Sequence, residues 1–126
     1  MISERRYRLI DKIAGWTVFI IAMLTYMLTL EPTVSYWDCG EYVAQAAMLE
    51  VGHPPGNPIF MLAGRVFCNF ASDVTQLALM VNAMSGVLSA LTILLLYWTI
   101  TMLVSRFCKK ESGYSLASVI AIVGSG

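Results

Sequence analysis

The chain alternates between long uncharged apolar runs and shorter segments that gather its charges. Residues 13–30 contain no charged side chain, and neither do residues 77–104. At about 1.5 Å of rise per residue, roughly 18 to 20 apolar residues cross a hydrocarbon core of about 30 Å. The two runs therefore predict membrane-spanning helices over about 13–30 and 77–104, and neither shows the polar face of a soluble amphipathic helix. The second is about 42 Å long as a helix, so it tilts or projects beyond the core. Ser85, Gly86 and Ser89 place small residues on part of its surface, which suits close approach of another helix or is ordinary membrane composition. A third apolar run starts at Leu116 and reaches Gly126, too short a stretch to span. The pattern predicts an all-α, polytopic membrane protein, of which this is the N-terminal part of a single multi-span domain.

Between the spans, residues 31–76 change character. This stretch holds Asp38, Glu41, Glu50, the single histidine His53 and all four prolines, and loops of such length usually carry structure or function. Asp38 with Glu41 three residues later has capping-box spacing, and Trp37 with Tyr42 has the spacing of a hydrophobic staple. Tyr42, Ala46 and Leu49 recur at helical intervals, and Gly52 suits the helix end. This predicts a helix lying along the membrane surface. In Gly52-His53-Pro54-Pro55-Gly56-Asn57-Pro58 each proline pushes the residue before it out of the helical region. A stiff turn should result, followed by a second short helix from Pro58 to about Phe70, mostly apolar with Arg65 in its middle.

Charge then sets orientation. Only 13% of the residues are charged, against about 25% in soluble domains. Arg5, Arg6, Arg8 and Lys12 precede the first span, and Arg106, Lys109 and Lys110 follow the second, while Arg65 alone lies between them. The positive-inside bias puts 1–12 and 105–115 in the cytoplasm and 31–76 on the far side. A cleaved signal peptide fits less well, because the first apolar run exceeds the usual length of about 7 to 15 residues. The lack of an Asn-x-Ser/Thr site in the outer loop agrees with a bacterial inner membrane, which would make that side periplasmic. No basic stripe exists for nucleic acid. Cys39, Cys68 and Cys108 have no metal-type spacing. Cys39 and Cys68 could pair in an oxidising compartment, though free buried cysteine is common.

The loop carries the candidate chemistry. Capping accounts for Asp38 and Glu41 without any chemistry, yet a carboxylate at the membrane surface can also act as a general base toward an acceptor hydroxyl. His53, fixed by prolines, either caps a turn or binds a phosphate. Arg65 either snorkels to the interface or pairs with phosphate. Asp38, Glu41 and His53 match no established metal-ligand spacing, although a loop can gather oxygen ligands around a hard divalent cation. Trp16, Trp37 and Trp98 fit an interfacial aromatic belt.

The run TLEPTVSYWDCGEY, residues 29–42, followed by VGHPPGNP, residues 51–58, resembles the N-terminus of the protein O-mannosyltransferase-like membrane proteins. The likeness covers roughly Tyr26 to Gly64. More loosely, the loop is similar to the first outer loop of GT-C glycosyltransferases, with many spans and a polyprenyl-phosphate sugar donor. The resemblance implies a single inverting displacement. Asp38 serves as catalytic base, and Glu41 stands where a second acid often sits. In this chain Cys39 and Gly40 separate the two acids, which leaves Glu41's contact with substrate open. The implied partners are the bilayer, a polyprenyl-phosphate-linked sugar such as mannose, and a protein Ser/Thr hydroxyl or glycan acceptor. A non-catalytic transport or assembly subunit is the competing reading.

Overall fold

The structure is a computed structural model and describes residues 4–35, 37–54, 56–107, 120 and 124. The described elements are α1 (Glu4–Leu28), α2 (Cys39–Met48), α3 (Pro58–Cys68), a 3₁₀ turn (Val74–Gln76) and α4 (Leu77–Phe107). Two helical stretches, Arg6–Leu28 and Val74–Arg106, are long and apolar enough to cross a membrane. Helix α1 begins nine residues before the apolar run, because helical hydrogen bonding continues through charged residues where no proline or early glycine interrupts it. Apart from residues 120 and 124, the apolar run after Leu116 lies outside the described residues.

The chain forms two compact units, Met27–Val87 and the described parts of Met1–Tyr26 with Leu88–Gly126. In the second of these, Ala90, Leu94 and Tyr97 of α4 are buried. The Tyr97 hydroxyl donates to Asp11 Oδ1 of α1 at 3.2 Å. Gly15 is a close-approach position: a Cβ there would lie 2.7 Å from Trp98 Nε1. Trp16 meets Trp98 edge to face, with centroids 6.1 Å apart. The tight contact in this unit is thus made at Gly15.

The unit Met27–Val87 has its own apolar core. Val43 and Ala46 of α2, Met61 and Cys68 of α3, and Ala78, Val81 and Met84 of α4 form one buried cluster. Gly64 lets α2 and α3 touch, since a Cβ there would stand 2.8 Å from Ala46 Cβ. Tyr42 and Phe60 cross the same interface edge to face at 5.7 Å. Opposite this buried stripe, Ile59, Leu62 and Val66 of α3 are exposed. Asn82 of α4 donates to the carbonyls of Glu31 and Thr33 at 2.8 and 3.2 Å, holding the segment that leads from α1 to α2. Cys39 and Cys68 are unpaired thiols, and burial pushes the Cys68 thiol up from its ordinary value.

Both short helices of the loop form, but their ends differ from expectation. Asp38 occupies the N-cap of α2 at φ −74°, ψ 2°, and its side chain makes no capping bond. A capping side chain needs its own residue in extended geometry to reach the amides behind it. Trp37 has φ 64° and is 96% exposed, so no staple with Tyr42 is made. Helix α2 ends at Leu49, which is left-handed at φ 56°, three residues before the expected Gly52. The side-chain capping forms instead at the 3₁₀ turn. Asp73 Oδ1 accepts from the Val74 amide at 2.7 Å, and Gln76 Oε1 accepts from the Ser72 amide at 3.1 Å. Pro58 opens α3 as predicted, after Asn57 at φ −129°.

Candidate functional site

Helix α2 brings Asp38, Glu41, Tyr42 and Gln45 to one side, and the proline-rich turn closes over them. The turn is held by the Gly56 amide donating to the His53 carbonyl at 2.8 Å, with Gly56 at φ 71°. Asn57 Nδ2 donates to the Tyr42 hydroxyl at 3.3 Å and ties the turn's far end to α2. Between them lies an open depression of about 310 Å³, lined by Asp38, Glu41, Tyr42, Gln45, His53 and neighbouring turn residues. Two carboxylates and an imidazole therefore face one solvent-open space, although twelve residues separate Glu41 from His53.

His53 Nδ1 and Glu41 Oε1 are 2.6 Å apart. The same carboxylate oxygen accepts a hydrogen bond from Gln45 Nε2. Glu41 is held below the usual carboxylate range, first by the His53 hydrogen bond, and His53 is raised above its ordinary value, first by that bond and then by the Glu41 charge. Asp38 adds a further upward pull on His53. The depressed Glu41 contributes stability above the ordinary glutamate value and loses it as pH falls through the depressed one. The raised His53 contributes fully below the ordinary histidine value, about 6.5, and loses its share as pH rises through the raised one. The pair thus holds from the carboxylate range up to the raised imidazole value. Diethyl pyrocarbonate acylates only neutral imidazole, so near neutral pH His53 should react more slowly in the parent protein than in Glu41→Gln, read by peptide mass spectrometry. Equal rates would show that the pairing does not persist.

Arg65 does not line the depression. Its guanidinium donates to the Ala47 carbonyl in the last turn of α2, where helical carbonyls lack partners within the helix. Among the described residues, no group of three or more His, Cys, Asp and Glu side chains is placed to hold a metal ion. Residue types alone did not single out Gln45, Asn57 or Asn82. A polar residue on an apolar helix face was the available signal for Gln45 and Asn82.

Residues 38–126 match the family described as the protein O-mannosyl-transferase TMEM260 N-terminal domain. The chain belongs to that family. It is 30% identical over 99 residues to the protein O-mannosyl-transferase tmem260 of Dictyostelium discoideum, a match that covers 77% of this chain and 12% of the relative. The chain thus spans about an eighth of that relative's length. The relative is eukaryotic, so the bacterial inner membrane expected from the missing glycosylation site finds no support. No solved structure matches the chain significantly.

Proposed function

We propose that this chain forms the first outer loop and flanking spans of a membrane mannosyltransferase, with the Asp38–Glu41–His53 depression at its active centre. The observation that carries the reading is the convergence of those three side chains in one solvent-open space, in a chain of a family described as protein O-mannosyl-transferases. Asp38 is the general base. It takes the proton of an acceptor Ser or Thr hydroxyl as that oxygen bonds to the anomeric carbon of the sugar. The bond from that carbon to the carrier's phosphate oxygen breaks in the same step, with inversion, and the polyprenyl phosphate leaves with the electron pair. The His53 imidazolium, charged through its pairing with Glu41, faces the phosphate and offsets its charge. Arg65 lies outside the depression and holds the end of α2 through the Ala47 carbonyl.

The exposed apolar surface supports membrane placement. Ile13, Trp16, Ile20, Ile21 and Leu24 of α1 are all exposed, more contiguous apolar surface than water favours. Basic residues at both ends of the span pair favour a cytosolic position for those ends, and the depression then lies on the opposite side, in a lumen or outside the cell. In the full-length protein in sealed membranes, Val51→Cys, at a residue 94% exposed, should react with a membrane-impermeant maleimide from the non-cytosolic side only. The purified protein should transfer labelled mannose from polyprenyl-phosphate mannose and not from a nucleotide-linked mannose. Labelling from the cytosolic side, or equal use of the nucleotide donor, would overturn the proposal.

A further inference from the structure

We infer that Gln45 is a positioning residue of this site: its amide holds the Glu41 carboxylate against His53 and so fixes the imidazole beside Asp38. The inference rests on the reading of the depression as the active centre.

Gln45 is 7% exposed and, with Val43 and Ala46, one of the buried residues of α2, although it lines the depression. A long polar side chain at such a position costs stability unless its polar atoms find partners. Glu41 and Gln45 are one helical turn apart, so they share a face. The Gln45 amide nitrogen donates to Glu41 Oε1, the oxygen that also meets His53 Nδ1. A carboxylate only accepts, which orients the amide with its nitrogen toward Glu41 and its oxygen toward the turn.

The turn has been shaped to this side chain. Gly52 packs on the Gln45 amide, and a Cβ at residue 52 would stand 2.7 Å from both Gln45 Cδ and Nε2. Among the described glycines, Gly56 has the positive φ, and α2 already ends at Leu49. A side chain at residue 52 would therefore meet the Gln45 amide, the flexible end of a side chain, and displace it. His53 follows directly in the chain, and its side chain is 85% exposed. Such a ring has little packing to fix it. Its orientation depends on the Glu41 carboxylate, which Gln45 holds from within α2 while the His53 backbone amide holds it from the turn. The charged groups around the imidazole are Glu41 and Asp38, both from α2. Loosening Glu41 removes the larger influence and leaves the weaker one.

The test uses the full-length protein with Gln45→Met, which keeps the length and bulk over Gly52 and deletes the donor. Membrane insertion and protein level should match the parent. Mannose transfer should fall about 10-fold to 100-fold, the size expected when a reacting group is misplaced by about 1 Å. The alkaline limb of the pH–rate profile should move to lower pH, because His53 loses its partner. Diethyl pyrocarbonate should modify His53 faster near neutral pH. Adding Gln45→Met to Glu41→Gln should cause little further loss, since both act through one contact. Gly52→Ala, which pushes the Gln45 amide aside, should give the same displaced limb and is the second probe if Gln45→Met is poorly made. Parent-like His53 modification and pH profile in both variants would overturn the inference even if Asp38 proves essential. Full transfer by Asp38→Asn would instead remove the active-site reading, while the His53 modification rates would still decide whether Gln45 orients the pair.

Discussion

Asp38→Asn should lower mannose transfer by about 10²-fold to 10⁴-fold, the span expected for loss of a general base, with folding and membrane insertion intact. Asparagine keeps the shape and polarity of aspartate but cannot take up the acceptor's proton. The usual objection to such a variant is that the carboxylate was capping a helix. That objection does not hold here, because the Asp38 side chain makes no capping bond to α2. Its backbone does the structural work instead, the Asp38 carbonyl accepting from the Tyr42 amide at 3.0 Å, and asparagine preserves that bond. Transfer would be followed with labelled mannose, normalised to protein in the membrane. A variant that transfers at the parent rate would show that the base lies elsewhere.

Gly64→Leu should have the largest effect on stability. A Cβ at residue 64 already falls 2.8 Å from Ala46 Cβ, and Ala46 has no exposed surface. Ala46 Cβ sits on α2 itself, so relief requires α2 and α3 to move apart. Overpacking of this kind costs about 1–3 kcal/mol or more. Separation would also stretch the Asn57–Tyr42 and Arg65–Ala47 hydrogen bonds that cross the same interface. The thermal midpoint of the full-length protein in detergent should therefore drop, and transfer should fall with it. Val66→Leu, on the exposed side of α3, should leave the midpoint unchanged. Equal midpoints for Gly64→Leu and the parent would show that the two helices are not held as described.

Much of this architecture was legible in the residue pattern, for reasons that are local. A run without charge and long enough to span declares itself, because membrane crossing depends on length and apolarity summed along one helix. Pro58 opens α3 because its ring presets the helical φ and its missing amide costs nothing in the first turn. The depression was legible as a set of residue types, Asp38, Glu41 and His53, but not as an arrangement. Capping was misplaced for an equally local reason. Asp38-Cys39-Gly40-Glu41 and Asp73-Val74-Thr75-Gln76 have the same spacing, and only backbone angles decide which one folds back. Trp37 at positive φ turns the chain so that Asp38 enters the helix in non-extended geometry, whereas Asp73 at φ −148° is extended and caps.

The sequence by itself determined the helical class, the two candidate spans and the polar loop between them, since each follows from properties summed over neighbouring residues. The tertiary structure decided which side chains meet: Glu41 with His53 rather than with its own helix amides, Arg65 with the end of α2, and Gln45 between Glu41 and Gly52. Those pairings depend on two helices and a turn converging in space. No spacing rule along the chain encodes the angle at which they do so.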